Sequence, residues 1–159
     1  MQYNNDTVRR QDHLLDELSA KQLLEQGEYG VLSMVSENNT AYGIPMNFVW
    51  DGRYSIYLHC ALEGKKLRSI VHNKHVSFCI TGSTKVVSHK FTCTYESIVL
   101  QCIAHIQLEK EERIKVLELF LHKYSPQEKK TGMKLIKETY IRTEIIRLEI
   151  SEWSGKTKA

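Results

Sequence analysis

The feature that most constrains the fold is a run of three strand-like segments between residues 29 and 60. Residues 29–35, 41–50 and 54–60 are rich in β-branched and aromatic side chains, which is the composition of strands. The cluster SENNT separates the first two, and Asp51-Gly52, typical of a type I′ turn, separates the second from the third. Strands joined by turns this short pair antiparallel. The pattern therefore favours a closed antiparallel barrel over a doubly wound parallel sheet.

The segment 41–50 is predicted to be one continuous strand. Pro45 cannot donate a ladder hydrogen bond, so the strand is expected at a sheet edge or at a bulge. The side chains opposite Pro45 alternate along one face, and they are Tyr42, Ile44, Met46, Phe48 and Trp50.

A short helix precedes these strands. Ser19 and Gln22 form a capping-box pattern, in which each side chain satisfies a free backbone N–H of the first turn. The helix is predicted over residues 20–26, and Gly27 is expected to end it in the left-handed conformation.

A second short helix is predicted at residues 65–73, with Asn73 closing it. Its apolar face is expected to consist of Leu67, Ile70 and Val71. Strands at residues 75–81 and 95–108 follow, and the segment 82–94 between them fits either a long loop or a ragged strand.

The last third of the chain predicts two helices and a strand. Residues 109–124 carry apolar side chains at helical spacing. Ser125 and Pro126 then restart a helix, with Ser125 as the cap and Pro126 at the first position. The alternating run 143–150 predicts the final strand, and the residues after it are expected to lie outside the sheet.

Length and composition suit a single domain over residues 1–159, with a core at about 19–151 and a helical pair at about 110–139 inserted before the last strand. The net charge of +3 permits an anionic ligand and gives poor support to an oligonucleotide-binding barrel. The cysteines show no CxxC pair, and the amino terminus lacks an apolar signal-peptide core. We expect a cytoplasmic protein with no membrane span, no nucleic-acid partner and no metal site.

One stretch, LHCALEGKKL at residues 58–67, places a glycine and two lysines at a helix start. Free backbone N–H groups, the helix dipole and two ammonium groups together form a site for an anion such as a phosphate. The spacing of a Walker A loop is absent. The alternative is that Lys65 and Lys66 are solvated surface charges.

The order of motifs along the chain resembles the pyridoxamine phosphate oxidase superfamily, the FMN-binding split barrels. PMNFV, a DG hairpin, IYLHCA, GKKL and N-x-x-V-S-F follow one another, with YGxLS upstream and YxSIV downstream. The nitroimidazole-resistance-like branch is the most similar one. The resemblance covers residues 9–156 and implies a mainly β fold, an antiparallel split barrel with peripheral helices.

The resemblance also implies a cofactor and a set of contacts. Gly64, Lys65 and Lys66 would bind the FMN phosphate, and the backbone of 46–49 would lie against the flavin ring. Members are homodimers with flavin at the subunit interface, so residues of the partner would complete the site. The implied cofactor-binding residues are Met46, Asn47, Phe48, Val49, His59, Cys60, Ala61, Gly64, Lys65, Lys66, Tyr95 and Ser97, with Trp153 and Lys156 as further carboxy-terminal contacts.

The chain departs from the vitamin oxidases of this superfamily. Those enzymes carry an arginine on the strand that here reads PMNFV, and an Arg-x-Arg where this chain has YESIVLQ. Near Gln101 and Cys102, relatives often carry a glycine, so the pocket is expected to be narrowed or reshaped there.

Two functions of different classes remain open. The first is an FMN-dependent reductase that takes hydride from NADH or NADPH and passes electrons to a small electrophile such as a nitro-aromatic or a quinone. The second is a non-catalytic protein that sequesters flavin or haem, with His59 or another histidine as the iron ligand. His59 is also the candidate catalytic residue, although it fits a structural histidine at a strand end better, because the sequence identifies no acidic partner for it. Cys60 fits a packing residue better than a nucleophile.

Overall fold

The computed structural model describes residues 1–158, which form one eight-stranded sheet with helices around it. The strands are β1 (Gln2–Tyr3), β2 (Tyr29–Val35), β3 (Ala41–Asn47), β4 (Val49–Trp50), β5 (Ser55–Cys60), β6 (His75–Val87), β7 (Thr92–His105) and β8 (Glu144–Lys158). The α-helices are α1 (Glu17–Gln26), α2 (Lys65–His72), α3 (Lys110–Tyr124) and α4 (Lys129–Thr139), and short 3-10 segments lie at Gln11–His13, Ser88–Lys90, Pro126–Glu128 and Tyr140–Arg142.

The sheet curls into a barrel whose two outermost strands are not hydrogen-bonded to each other. Its order is β3-β2-β6-β7-β8-β5-β4, with antiparallel neighbours throughout and β1 added parallel to β8. The outermost strands, β3 and β4, are separated in the chain by Phe48 alone. The prediction of a mainly antiparallel β fold with peripheral helices is therefore confirmed.

The prediction of one strand over residues 41–50 is wrong, because the chain changes partners at Phe48. Asn47 is the last residue that pairs with β2, whereas Val49 pairs with Tyr57 of β5. Phe48 and Val49 are both buried, which a continuous strand with one solvent face cannot provide. Pro45 lies on β3 at an end of the sheet order, so the predicted edge position is confirmed.

The hairpin between β4 and β5 forms as predicted, but its turn is not type I′. Gly52 has a φ of 77°, whereas Asp51 does not have the positive φ that a type I′ turn requires. The carboxylate of Asp51 instead accepts hydrogen bonds from the backbone N–H of Arg53 at 2.7 Å and of Ser55 at 3.1 Å. The aspartate thus closes a three-residue loop over residues 52–54.

Helix α1 begins three residues earlier than predicted. Asp16 is its cap, and its carboxylate accepts a hydrogen bond from the N–H of Ser19 at 2.9 Å. Gly27 ends the helix with a φ of −57°, so the predicted left-handed conformation is wrong. A Cβ at Gly27 would lie 2.9 Å from Ile80 Cγ2. The glycine is therefore needed for close packing.

Helix α2 matches its predicted span, but its buried face differs. Leu67 and Ile70 are buried as expected, whereas Val71 is 74% exposed. Ser69 takes the third buried position, because its hydroxyl donates a hydrogen bond to the carbonyl of Lys65 at 2.9 Å. A satisfied hydroxyl can be buried on a helix face at little expense.

The unassigned segment 82–94 belongs to a long hairpin made by β6 and β7. Their register shifts between Thr81 and Thr84, and Phe91 takes a left-handed φ of 50° at the tip. The expectation that the chain leaves the sheet after residue 150 is wrong. β8 continues to Lys158 because Trp153 is buried at 1% exposure and packs edge-on against Tyr3.

The helical pair lies before the last strand, and Phe120 is the most buried aromatic of α3. Ser125 lies at the cap position and Pro126 at the first position of a turn, as predicted, but that turn is a 3-10 segment between the two helices. The side chain of Ser125 makes no capping hydrogen bond. Within residues 1–158 we find no helix of the length and apolar character that crossing a bilayer requires.

Gly30 on β2 provides a test of the packing inside the barrel. A Cβ there would lie 2.4 Å from the ring of Phe78 and 2.6 Å from the carbonyl oxygen of Cys79. Gly30→Ala should lower the free energy of unfolding by about 1–3 kcal/mol through overpacking. The matched control is Gly43→Ala on β3, whose Cβ would meet nothing closer than 3.5 Å and should change stability by less than about 0.5 kcal/mol. Urea denaturation measures both, and equal effects would contradict this packing.

Candidate functional site

The start of α2 has the features of an anion site. Gly64 is the N-cap with a φ of 143°, in the range that favours glycine, and it provides no capping side chain. The first backbone N–H groups of a helix have no partner within the helix, so those of residues 65–67 remain available to a ligand. Lys65 is exposed and Lys66 is half-buried. Free N–H groups, positive dipole and two ammonium groups therefore coincide at one helix end.

The ammonium group of Lys66 faces the end of β5. It lies close enough to Cys60 and His59 for its positive charge to act on the pKa of both side chains. Burial, followed by the positive charge of Lys66, lowers the pKa of His59 below its ordinary value of 6.5. Burial raises the pKa of Cys60 from 9.0, against the effect of Lys66. At neutral pH the site therefore presents a neutral imidazole and a protonated thiol.

Lys65 points towards β3. Its Nζ lies 4.3 Å from the centre of the Tyr42 ring, which is the geometry of a cation–π contact. The two lysines thus reach opposite sides of the gap between β3 and β5. Tyr42 was assigned to the apolar face of its strand, and the pattern of the sequence gave no indication of this contact.

A cleft of about 360 Å³ opens beside the same strand ends. It is lined by Tyr29, Pro45, Met46, Asn47 and His59. The structure therefore brings three of the predicted contacts together, on two strands that are not hydrogen-bonded to one another. Its lining combines apolar surface with a few polar groups, as small-molecule sites do.

The predicted contacts Phe48 and Val49 have buried side chains, so only their backbone could meet a ligand. The peptide groups of Phe48 already have partners: its N–H donates to the phenol oxygen of Tyr124 at 3.2 Å, and its carbonyl accepts from that phenol at 2.8 Å. Ala61 is exposed just beyond β5, on the short loop that leads to Gly64.

Helix α3 adds a wall that the sequence analysis did not assign to the site. The imidazole of His59 lies edge-on against Phe120, with 4.6 Å between ring centres, and Phe120 stacks on Tyr124 at 5.9 Å. The neighbouring Lys123 is half-buried. The spacing of Phe120 and Tyr124 identified only a packed helix face, and no local signal shows that this face meets β5.

Tyr95 and Ser97 are not among the residues that line the cleft. Both are on β7, which β6 and β2 separate from β3 in the sheet order. Trp153 is buried in the core, and Lys156 is paired with Ser97 in the β7–β8 ladder. Their contact with a ligand stays a prediction.

Gln101 and Cys102, where relatives often carry a glycine, line a groove of about 560 Å³ on the sheet. Cys102 is buried, which raises the pKa of its thiol to about 12. Gln101 is exposed opposite Ser77 of β6. Among residues 1–158, no three His, Cys, Asp or Glu side chains converge as a metal site would require.

Comparison with known sequences identifies one family. The model described as pyridoxamine 5′-phosphate oxidase matches residues 16–157. No curated protein matches the chain.

Solved structures match over most of their length at low identity. A protein from Bacteroides thetaiotaomicron assigned to 5-nitroimidazole antibiotic resistance is 17% identical, with a TM-score of 0.73 over 91% of this chain and 86% of its own. An FAD-binding protein from Mesorhizobium loti is 16% identical, with a TM-score of 0.65 over 91% and 95%. HutZ from Vibrio cholerae, a haem storage protein, is 12% identical, with a TM-score of 0.64 over 85% and 89%. These matches confirm the predicted split barrel.

The proximity of Lys66 to His59 can be tested by titration. Lys66→Ala should raise the pKa of His59, because it removes a nearby positive charge. The pKa should stay below 6.5, because burial is the larger cause of the shift. Lys65→Ala is the matched control and should leave the pKa of His59 unchanged. An NMR titration of the imidazole measures both. An unchanged pKa in Lys66→Ala would show that the ammonium does not face the ring.

Proposed function

Because this chain belongs to the pyridoxamine 5′-phosphate oxidase family, we propose that it binds FMN and reduces small electrophiles, such as nitro-aromatics or quinones, with electrons from NADH or NADPH. One observation carries the proposal: the helix start with its two lysines lies beside a cleft that is lined by both apolar and polar residues. A phosphate and a planar polar ring, joined by a short chain, are the chemistry that these two features accept together.

At the phosphate end, Lys65 and Lys66 supply charge and the backbone N–H groups of residues 65–67 supply directed hydrogen bonds. Gly64 leaves room for close approach, since nothing lies within 4 Å of the position of a Cβ there. The ammonium group of Lys65 lies 4.3 Å from the centre of the Tyr42 ring. Binding a phosphate would draw this ammonium away from the tyrosine ring.

At the ring end, Asn47 and the neutral imidazole of His59 line the cleft with Tyr29, Pro45 and Met46. A neutral imidazole can donate one hydrogen bond and accept another, so His59 can bond a polar edge without adding charge. The chain's role is therefore to hold and orient the ring, and bound FMN supplies the hydride and electron transfer.

The nicotinamide is proposed to dock transiently, since the sequence has no Gly-rich dinucleotide fingerprint. Oxidation of pyridoxamine phosphate is not proposed. β3 carries no arginine, and the run YESIVLQ of β7 carries none either, so the groups that would hold a second phosphate are missing.

We propose a homodimer in which Tyr95 and Ser97 of one subunit complete the cleft of the other. These residues are not among those that line the cleft of their own chain. The outer face of β2 next to the cleft exposes Tyr29 and Val31, at 56% and 38%, which is apolar surface that a second subunit would cover. The cytoplasmic location expected from the sequence stays a prediction.

The phosphate end is tested by flavin retention. The wild type, loaded with FMN and freed of excess, should show an oxidised-flavin spectrum. Lys65→Ala/Lys66→Ala should weaken FMN binding by at least about tenfold, because charge-assisted hydrogen bonds to phosphate are lost. Lys129→Ala/Lys130→Ala, which removes two exposed lysines at the start of α4, is the matched control and should bind FMN normally. A colourless wild type would refute flavin binding.

Catalysis is tested separately from binding. The FMN-loaded protein should oxidise NADH or NADPH in the presence of a nitro-aromatic or a quinone, and the rate should fall with flavin content in the double lysine variant. If the protein binds flavin but oxidises neither NADH nor NADPH with any acceptor supplied, the reductase proposal is wrong, and flavin sequestration is the remaining function.

Haem binding is the second candidate function, and the environment of His59 favours it. A neutral imidazole is the form that binds iron, and the lowered pKa of His59 provides it at neutral pH. If this candidate is correct, added haem should give a Soret band that His59→Ala removes. His105→Ala, which changes a histidine paired with Glu149 at 3.2 Å, is the control. An unchanged band in His59→Ala would exclude His59 as the ligand.

A further inference from the structure

We propose that Lys123 and Tyr124 are positioning residues for the cleft: as the last two residues of α3, they hold the chain where it crosses from β3 to β4. This inference rests on the proposed flavin site and assigns it two residues outside the strands that line it. We call residues 47–49 the crossover segment. Asn47, at its start, lines the cleft, so the position of this segment sets the shape of the ring end.

Tyr124 links the crossover segment to the residue before β2. Its phenol oxygen lies 2.5 Å from the carbonyl oxygen of Glu28 and 2.8 Å from that of Phe48, and it accepts the N–H of Phe48 at 3.2 Å. The side chain of Asn47 donates to the same Glu28 carbonyl at 3.0 Å. One hydroxyl therefore continues the link between these two segments just beyond the Tyr29–Asn47 pair, where the β2–β3 ladder ends.

Lys123 makes the second link between the same two segments. Its ammonium group donates to the carbonyl of Gly27 at 2.6 Å and to that of Phe48 at 3.1 Å. It also lies 4.2 Å from the centre of the Phe48 ring. Burial lowers the pKa of Lys123 to about 8, although the negative charges of Glu28 and Glu25 act to raise it. An ammonium placed here at the expense of its hydration indicates a specific role for these bonds.

The two segments that Lys123 and Tyr124 bond, at residues 27–28 and at Phe48, are adjacent to residues that line the cleft. Tyr29, which follows Glu28, and Asn47, which precedes Phe48, are both among its lining residues. Phe120, one turn before Tyr124, supports the imidazole of His59 from the other side. The end of α3 therefore contacts the ring end of the site from behind, whereas α2 forms its phosphate end. This division predicts that the two helices affect different parts of a bound flavin.

FMN and riboflavin distinguish the two ends, because riboflavin has the ring without the phosphate. The test variants are Tyr124→Phe, which removes only the hydroxyl, and Lys123→Met, which keeps the length without the charge. The matched controls are Tyr54→Phe and Lys115→Met, which alter an exposed tyrosine and an exposed lysine of α3. Dissociation constants for both flavins are measured at a temperature at which thermal unfolding shows every variant folded.

Both test variants should weaken binding of FMN and of riboflavin by the same factor, on the order of tenfold for the loss of a buried hydrogen bond. The ratio of the two affinities should stay that of the wild type, and the absorption maxima of the bound flavin should shift. The controls should match the wild type. Unchanged riboflavin binding in both test variants would overturn the proposal, as would a changed affinity ratio, which would place their effect at the phosphate end.

Amide hydrogen exchange in the flavin-free protein keeps this test separate from the proposed function. Residues 47–49 should exchange faster in Tyr124→Phe and Lys123→Met than in the wild type and the controls. If the wild type binds neither flavin, the proposed function fails, and exchange alone decides whether α3 holds the crossover segment. Unchanged exchange at residues 47–49 would overturn the proposal that α3 holds the crossover segment, whether or not the protein binds flavin. If Lys123→Met does not fold, Tyr124→Phe carries the test.

Discussion

The burial of Phe48 is the constraint on which the rest of the structure depends. Its side chain is fully buried and packs edge-on against Phe78 of β6, with 5.3 Å between ring centres. Anchoring this residue ends β3 at Asn47 and starts β4 at Val49. The sheet can then curl round without a continuous ladder between its ends, and the resulting gap leaves polar backbone that must find other partners. The end of α3 supplies them.

The same gap makes room for the proposed ligand site. If hydrogen bonds had joined the two outermost strands of the sheet, β3 and β4, no room would remain between β3 and the end of β5. With the ladder interrupted, Asn47 and His59 face a common cleft, and Lys66 at the start of α2 reaches the same strand end. Binding groups from two strands and a helix thus converge on a scaffold whose positions are set by packing, and such placement keeps a site preorganised.

Periodicity and turn signals predicted most of the fold, because strands and helices with one apolar face follow local rules. The failures have two physical causes. Asp16 and Asp51 bond backbone N–H groups within four residues, so these were local signals that competed with the capping box and the type I′ turn. Trp153 instead packs on Tyr3, a contact between the two ends of the chain that no local pattern contains. In the site, the lysine pair was visible as a motif, whereas Tyr42 and the residues of α3 were not. Their roles depend on tertiary neighbours across the gap.

The central claim is that one flavin occupies both the start of α2 and the cleft beside β3. A crystal structure of the protein with FMN tests this most directly. We expect the phosphate to lie against the N–H groups of residues 65–67 with Lys65 moved off Tyr42, and the ring to lie between Asn47 and His59. FMN bound elsewhere, or with its phosphate away from α2, would contradict the account.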